Sequence, residues 1–521
     1  MPTPTPPLRL AELVATLALA QDNAFGQPLE SQLRSSLLAA WMCEAGAFGR
    51  EVRDTAYWVS LLRYIGCTGH AHEVATVFGD EIAIRAQTLI HDAANTAEVM
   101  GDVIAFATRG RAPEERQGII QMIQQTAVAW AEHNFASGCE VADMLVARLD
   151  FGPAVRTALR YTFERWNGHG FPAHVGGETI PLPMRVVHLS HDMEAIARIF
   201  SPEKALQAAR DRRDRTYDPA VVDLFLVHGA RWLEQLGKLE PWDAVLALEP
   251  EPHRMIENEA LDEALAVAAD FIDLKSPRMS GHSRRCAQLA GDAAQVLGLD
   301  AETVTGLRRA ALLHDFGTTG VSNSILDKPA SLTRAEFDRV ELHPMLTEQM
   351  LRRSPALAAL NPYAAAHHEK SDGSGYHKRV RADAVDPGAC VLAAVEIYVG
   401  MTTDRADRDA WSAEDAAAEL RQLASRGVTE PRATRAVLEA AGHAEPRART
   451  VTRAQLPGRL SRREMDVLRL AARGLTTQQI ADRLSISPKT ADHHVQHIYT
   501  KIGVSTRAAA ALWATQHAMV A

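Results

Sequence analysis

The chain has 521 residues, of which 46% are hydrophobic and 23% charged, and its formal net charge is −9. This composition is ordinary for a globular protein, and the length predicts about three domains because one hydrophobic core rarely serves so long a chain. The negative charge excludes a protein that coats nucleic acid along its whole surface, although it leaves room for one basic module.

Neither the cysteines nor the apolar segments predict an exported or membrane protein. The five cysteines are scattered and form no CxxC pair, which argues against a disulfide framework and favours the reducing cytoplasm. The first apolar run begins at Leu8, contains Glu12 and follows prolines rather than a basic leader, so it predicts an amphipathic helix and no signal peptide. Because no run of about 18 apolar residues occurs, we expect no membrane span.

Nearly every periodic segment predicts a helix, since apolar residues recur at spacings of three and four. Within this pattern the chain repeats itself in three ordered pairs of segments. We interpret them as two related helical domains in tandem, and the alternative is chance similarity between helices rich in Ala and Leu. The pairs are LLRYIGCTG (61–69) with LLHDFGTTG (312–320), ERWNGHGFP (164–172) with EKSDGSGYH (369–377), and YDPAVVDLFL (217–226) with TEPRATRAVL (429–438).

Two segments have the composition of linkers. Residues 236–254 contain three prolines, and residues 442–458 are polar and basic with proline near either end. They predict three domains, at residues 1–235, 255–441 and 458–521.

The second copy places His314 directly before Asp315 in an apolar helical pattern, and further imidazoles and carboxylates follow at wide spacings. Taken singly, each histidine is more simply a core or surface residue, so the prediction rests on the set. Imidazole and carboxylate are typical ligands of Fe, Mn or Zn. Neighbouring helical side chains point about 100° apart, so an HD pair and an HH pair suit two ions with Asp315 bridging them. Two such ions can activate a water and stabilise the oxygens of a phosphoryl group.

This spacing, together with DGSGY, resembles the HD-GYP branch of the HD phosphohydrolase superfamily over about residues 270–440. The resemblance implies a helical domain with two divalent transition-metal ions, Fe or Mn rather than Zn, that hydrolyses cyclic di-GMP or a related cyclic dinucleotide. It implies catalytic roles for His314 and Asp315 and substrate contacts for Gly373, Gly375 and Tyr376. The residues at metal-ligand positions are His282, His314, Asp315, His343, His367, His368 and Glu396.

The second copy departs from the family pattern at three positions. Thr318 stands where the family usually has the Lys of HDxGK, His377 replaces the Pro of GYP, and Glu396 replaces the last Asp. Without the lysine, the site lacks a point charge that could hold a substrate phosphate. We therefore expect a metal centre and leave open whether it turns over substrate.

The first copy departs much further. Only His133 and Asp192 match ligand types, and two ligands do not close a site, so we expect no catalytic metal there. Structural support is the simpler interpretation of this domain, and a pocket that senses a small molecule is the alternative. The ligand positions are held by Ser31, Arg63, Tyr64, His133, Thr162, Phe163 and Asp192.

The C-terminal segment predicts a small helical domain that binds DNA. Ser461 and Glu464 form a capping box, Gly474 ends the first helix, and Ser487 with Pro488 opens the third. Residues 442–521 carry twelve Lys and Arg against five Asp and Glu, a net charge of +7 on an otherwise acidic chain. The simpler alternative is a helical bundle with a solvated face, but this charge is the electrostatic signature of a nucleic-acid interface.

The motif LSRREMDVLRL, followed by GLTTQQIADRLSISPKT, resembles the LuxR-type helix-turn-helix. Such domains usually bind paired half-sites of double-stranded DNA as dimers. In the third helix the buried stripe contains Ala491 and Val495, and donors occupy the opposite face. The predicted DNA-binding residues are Lys489, Thr490, His493, His494, Gln496, Lys501 and Arg507.

The sequence therefore predicts an all-α protein with tandem HD-type domains and a four-helix LuxR-type domain. The main hypothesis is a cytoplasmic, homodimeric transcription regulator that binds a metal and acts on or senses a cyclic dinucleotide. One alternative is a phosphodiesterase whose tail only localises it, and another is a catalytically dead HD scaffold.

Overall fold

The structure is a computed structural model that describes residues 7–92, 94–381, 385–443, 458, 460–517 and 519. Over these residues the fold is helical apart from one antiparallel strand pair, Leu8–Arg9 (β1) with Met255–Ile256 (β2), so the predicted all-α class is confirmed. Among the described helices, none combines the length and apolarity needed to span a bilayer. Most of the predicted linker 442–458 lies outside the described residues.

The chain divides into two compact units, Pro7–Ile256 and Glu257–Ala521. The predicted domain limits, 1–235, 255–441 and 458–521, stay a prediction. The helices of the first unit are α1 (Leu10–Ala24), α2 (Ser31–Ala45), α3 (Arg50–Leu62), α4 (Ala71–Phe78), α5 (Glu81–Thr88), α6 (Thr96–Ala107), α7 (Pro113–Arg148), α8 (Pro153–Leu159), α9 (Leu182–Ile199), α10 (Pro202–Asp211), α11 (Pro219–Leu236) and α12 (Pro241–Ala247).

The second unit begins with the helices of the central domain and ends with those of the C-terminal domain. The central helices are α13 (Asn258–Asp273), α14 (His282–Leu297), α15 (Ala301–Leu313), α16 (Asn323–Leu326), α17 (Arg334–Glu341), α18 (His343–Leu351), α19 (Pro355–Ala358), α20 (Asn361–Ala364), α21 (Pro387–Met401), α22 (Ala413–Ser425) and α23 (Pro431–Ala440). The C-terminal helices are α24 (Arg462–Ala472), α25 (Thr477–Leu484), α26 (Pro488–Ile502) and α27 (Arg507–Gln516). Short 3-10 turns span Cys67–His70, Gly177–Thr179, Pro277–Met279 and Phe316–Gly320.

Small side chains hold the core of the central domain together. On α14, Ala290, Ala293 and Ala294 are fully buried against helices α15, α21 and α23. Alanine has no side chain beyond Cβ, so the helix backbones approach closely and bury apolar surface at little entropic cost. This packing brings together the start of α14, the end of α15 and the middle of α21, where three predicted ligands lie.

The two units share local geometry that supports their origin in a repeat. Glu164 accepts hydrogen bonds from the backbone N–H groups of residues 173 and 175, and Glu369 accepts them from residues 378 and 380. The residues before α2 and α14, Glu30 and Gly281, both have left-handed backbones, with φ of 76° and 75°. Two unrelated helical domains have no reason to share these details.

Candidate metal centre

The predicted ligands converge because most of them lie at helix ends. His282 is the first residue of α14, His343 is the first residue of α18, and His314 follows the last residue of α15. Asp315 opens the 3-10 turn Phe316–Gly320, where Thr347 Oγ1 accepts a 2.9 Å hydrogen bond from the Gly317 N–H. The remaining ligands are His367 and His368, just after α20, and Glu396 within α21.

The carboxylate of Asp315 lies between two groups of imidazoles. Its Oδ2 is 3.6 Å from Nε2 of His282 and 3.5 Å from Nε2 of His314. Its Oδ1 is 3.2 Å from Nε2 of His343 and 3.6 Å from Nε2 of His367. The two oxygens of one carboxylate therefore face two separate ligand groups, as expected of a bridging residue.

The other ligands complete each group. Oε2 of Glu396 lies 3.0 Å from Nε2 of His282 and 3.3 Å from Nε2 of His314. On the opposite side, His343, His367 and His368 place one nitrogen each within a single 4.8 Å cluster. All seven predicted ligands thus lie in one region, although their roles as ligands stay a prediction.

Backbone carbonyls fix the orientation of three imidazoles. The Nδ1 atoms of His314, His343 and His367 lie 2.7, 2.7 and 2.6 Å from carbonyl oxygens three residues earlier in the chain. Each Nδ1–H can donate to that oxygen, so the lone pair of Nε2 points into the cluster. Metal-binding histidines are held in this way, because the hydrogen bond selects the tautomer and fixes the ring.

Burial and neighbouring charges set the protonation of the cluster. Burial raises the pKa of Asp315, but the imidazoles of His314, His343 and His367 outweigh it and hold this pKa well below its usual value. Burial lowers the pKa of His367 to about 4. Burial also lowers the pKa values of His282 and His314, but nearby acidic groups outweigh it and raise both above the usual value. Because metal ions bind ionised carboxylates and neutral imidazoles, these two side chains would release a proton when an ion binds.

The residues present fit a pair of transition-metal ions. Among the described residues, the buried Nε2 of His314 forms no well-oriented hydrogen bond, although Oε2 of Glu396 lies 3.3 Å away, and an ion between the two atoms would satisfy both. One ion would be held by His282, His314, Asp315 and Glu396, and the other by Asp315 with His343, His367 and His368. This nitrogen and oxygen set suits Fe, Mn or Zn.

Cys286 is a cluster residue that sequence reasoning missed. Its Sγ lies 3.7 Å from Nε2 of His282 and 3.6 Å from Oε2 of Glu396. Its spacing could have predicted this position, because a residue four places after His282 lies on the same face of α14. Burial raises the pKa of this thiol to about 12.

A cavity of about 250 Å³ adjoins the cluster, lined in part by His282, Asp315, His343, His368 and Glu396. Arg278, Lys328 and Arg405 also line it and were missed from the sequence. The lining also contains the carboxylates of Asp404 and Asp407, which balance these cations. Thr318, at the place of the usual lysine, donates a 2.7 Å hydrogen bond to the Asp315 carbonyl oxygen. Nζ of Lys328 lies 2.7 Å from a carboxylate oxygen of Glu336.

Of the predicted substrate-binding residues, Tyr376 lines the cavity and stacks on His368 with ring centroids 4.2 Å apart. Gly373 and Gly375 shape the loop that carries it. Gly373 has a φ of 79°, and a Cβ atom on Gly375 would lie 2.7 Å from Cα of Glu369. Contact of these three residues with substrate stays a prediction.

In the first unit, the position of His343 is occupied by Gly138 and not by His133. A Cβ atom on Gly66 would lie 1.9 Å from the carbonyl oxygen of Gly138, just as one on Gly317 would lie 1.9 Å from that of His343. His133 is exposed on α7. The assignment of His133 to a ligand position was therefore wrong. The first copy has a longer segment than the second between its first two matched blocks, and this insertion obscured the register.

The C-terminal domain presents most of its predicted DNA contacts to solvent. Lys489, Thr490, His493 and Gln496 on α26 are exposed, whereas Ala491 and Val495 are buried. Ser461 and Glu464 form the expected capping box, and Ser487 caps α26.

Three of the predicted DNA-binding residues are either partly buried or already bonded to another residue. His494 is half-buried, Nζ of Lys501 lies 2.8 Å from Oε2 of Glu464, and Arg507 donates a 2.6 Å hydrogen bond to the Leu475 carbonyl oxygen. The roles of all seven residues in DNA binding stay predictions.

Family models match two regions of the chain. Residues 266–429 match a model described as an HD domain, and residues 459–514 match one described as bacterial regulatory proteins of the luxR family. Proteins similar to this chain include cyclic dinucleotide phosphodiesterases. The chain joins an HD domain of the HD-GYP branch to a C-terminal LuxR-type domain.

A similar curated protein is 3'3'-cGAMP-specific phosphodiesterase 3 of Vibrio cholerae serotype O1, which is 29% identical over 417 residues, or 78% of this chain and 90% of that protein. The cyclic di-GMP phosphodiesterase response regulator RpfG of Xanthomonas campestris pv. campestris is 32% identical over 184 residues, 34% of this chain and 47% of its own length. A crystal structure of a cyclic GMP-AMP-specific phosphodiesterase of V. cholerae matches with a TM-score of 0.59 and 25% identity, covering 84% of this chain and 99% of that one.

Proposed function

We propose that this protein is a DNA-binding regulator whose HD domain hydrolyses a cyclic dinucleotide with the help of two transition-metal ions. The observation that carries the proposal is the placement of Asp315, whose two carboxylate oxygens face two groups of imidazoles. Similarity to 3'3'-cGAMP and cyclic di-GMP phosphodiesterases supports the substrate class.

The reaction is hydrolysis of a phosphodiester. A water oxygen forms a bond to phosphorus, the bond from phosphorus to the ribose oxygen breaks, and that oxygen takes a proton, leaving a linear dinucleotide. Two bound ions would supply an activated water and neutralise charge on the phosphoryl oxygens. In this chain Arg278, Lys328 and Arg405 line the cavity beside Asp404 and Asp407, so they offer local contacts for phosphate groups and not a net positive lining.

A purified enzyme assay tests the hydrolytic part. The full chain, loaded with Mn or Fe, is incubated with 3'3'-cGAMP or cyclic di-GMP, and linear products are separated by chromatography. We expect product from the wild type and a loss of at least about a hundredfold in Asp315→Asn, because the bridging charge is removed. Tyr64→Phe alters the corresponding position of the first unit and should retain activity.

A sensor without turnover is the competing function. It predicts saturable nucleotide binding with no linear product in the wild type under any metal loading. That result would exclude the hydrolase and leave the departures at Thr318 and His377 as its explanation.

The DNA-binding part rests on the exposed face of α26, where Lys489, Thr490, His493 and Gln496 lie. A helix of this kind enters the major groove, and paired half-sites require two tails, so a homodimer belongs to the proposal. Gel shifts with fragments of the gene's own upstream region test DNA binding, and analytical ultracentrifugation tests the dimer. A monomer that binds no duplex at low salt would refute this part and leave the hydrolase intact.

A further inference from the structure

The unit Pro7–Ile256 contains a second cavity, of about 320 Å³, at the place where the second copy holds its metal cluster. Arg63 follows the last residue of α3 as His314 follows the last residue of α15, and Arg63 lines this cavity. A guanidinium group thus takes the position that a candidate metal ligand has in the second unit. The positive charge here comes from an arginine side chain, whereas bound metal ions would supply it in the second unit.

The lining is mostly aromatic and aliphatic. The rings of Phe25 and Tyr64 stack with their centroids 3.9 Å apart. The ring centroid of Phe135 lies 4.2 Å from that of Phe163 and 5.6 Å from that of Phe171. Aliphatic side chains of α4–α6 complete the wall, among them Val74, Ile84 and Val103. Such a surface favours a flat, apolar molecule, because it removes apolar area from water and offers ring faces.

Three arginines interrupt this apolar lining. Arg63, Arg85 and Arg165 are 3%, 9% and 8% exposed. Arg85 donates to the carbonyl oxygens of Ala24 and Cys67, which fixes its guanidinium. The Nε atoms of Arg63 and Arg165 are buried and have no hydrogen-bond partner among the described residues. A buried N–H of a charged group without an acceptor is costly, so an acceptor from outside the chain would relieve it.

The acidic side chain nearest these arginines is already engaged. Asp192 lines the cavity, accepts a 2.8 Å hydrogen bond from Tyr217 Oη and lies 3.0 Å from Nδ1 of His191. Burial raises the pKa of Asp192, but His191 and the charges of Arg63 and Arg165 lower it below its usual value. The lining contains three arginines and one carboxylate, so its formal charge is positive.

We propose that this cavity binds an organic acid with a flat apolar body, such as an aryl carboxylate, with the acid group at Arg63 and Arg165 and the body among the aromatic rings. Guanidinium groups pair well with carboxylates, and the pairing is strengthened where water is excluded. The site is distinct from the metal centre and gives the first unit a ligand of its own.

The test uses two fluorescent probes with similar bodies, anilinonaphthalene sulfonate, which is anionic, and phenylnaphthylamine, which is neutral. Both should bind the full-length protein saturably, with one site each. Arg63→Met and Arg165→Met should weaken binding of the anionic probe about tenfold or more and change that of the neutral probe less than about twofold, because only a charged hydrogen bond is lost. Arg213→Met, at a surface arginine paired with Asp223, is the matched control and should alter neither.

Two further measurements keep the test decisive. Val103→Trp fills the cavity without removing charge and should abolish binding of both probes, which excludes binding at the metal-centre cavity. Naphthoate should displace the anionic probe, and the uncharged naphthyl methanol should do so at least about tenfold less well. Circular dichroism verifies that each variant is folded. Binding that survives Val103→Trp, or an equal loss of both probes in the folded arginine variants, overturns the proposal.

Discussion

Thr347 Oγ1 donates a 2.9 Å hydrogen bond to the carbonyl oxygen of His314 while it accepts one from the Gly317 N–H. This buried hydroxyl connects α18 to both sides of the turn that carries His314 and Asp315. The position of the Asp315 carboxylate therefore depends on a residue that is not itself a ligand candidate.

Replacement of this hydroxyl should loosen the turn. We expect Thr347→Val to lower the free energy of unfolding by about 1–3 kcal/mol, because a buried N–H and a buried carbonyl lose their partner. Metal content, measured by elemental analysis, should fall as the turn shifts. Thr305→Val removes an exposed hydroxyl that donates to the Ala301 carbonyl on α15, and serves as control. Unchanged metal content in Thr347→Val would show that the turn holds without this residue.

Metal removal should destabilise the second unit. Ions that bind only the folded state at about a hundred times their dissociation constant contribute about 2.7 kcal/mol, so treatment with a chelator should lower the melting temperature, and Mn or Fe should restore it. His314→Ala lacks a central ligand and should show a much smaller response. Equal melting curves for chelated and loaded wild type would contradict a structural contribution from metal.

The repeated glutamates offer a matched pair. Glu369→Gln and Glu164→Gln each weaken two hydrogen bonds from backbone N–H groups, and we expect each to cost about 1–3 kcal/mol of stability. Only Glu369 anchors the loop that carries Tyr376 to the metal-centre cavity, so only its substitution should reduce hydrolysis. The measurement is urea unfolding beside the product assay. Equal activity of the two variants would count against a role for that loop.

The stability of the first unit should depend on the pH through His70. Burial, aided by the charge of Arg85, lowers the pKa of His70 from 6.5 to about 3. The unfolded chain takes up a proton that the folded state excludes, so this contribution is complete above pH 6.5 and is lost as the pH falls towards 3. In His70→Gln we expect the slope of unfolding free energy between these values to fall by about 1.4 kcal/mol per pH unit.

Urea unfolding followed by tryptophan fluorescence measures this slope, since six of the eight tryptophans lie in the first unit. His253→Gln, at an exposed histidine, is the matched control. An identical slope in wild type and His70→Gln would mean that His70 is protonated in the folded protein.

The two lysines of α26 should behave differently towards DNA. Lys489→Ala removes an exposed charge, and we expect it to reduce the salt dependence of duplex binding by about one phosphate contact without changing stability. Lys501 is paired with Glu464 of the capping box, so Lys501→Ala should also lower the domain's stability, by about 0.5–1 kcal/mol. Fluorescence anisotropy across a salt series and calorimetry separate the effects. A salt slope unaltered by Lys489→Ala would remove this residue from the interface.

Local patterns in the sequence were sufficient for the helical class and for the C-terminal domain. The capping box at Ser461 and the buried stripe that contains Ala491 and Val495 act over a single turn or helix, so they can be recognised without knowledge of the fold. The candidate ligand set could be proposed because its spacing matched a known pattern, but the side of Asp315 on which each candidate lies could not be predicted.

What the sequence by itself determined is therefore the set of chemical groups and the helices that carry them. The tertiary structure decided which groups meet. It places the candidate ligands on two sides of Asp315, brings Cys286 close to them and aligns Gly138, and not His133, with His343. It also forms the aromatic cavity around Arg63 and Arg165. The physical reason is that contacts between distant segments depend on helix packing and on the length of the insertion between the matched blocks. Neither leaves a periodic signal in the chain.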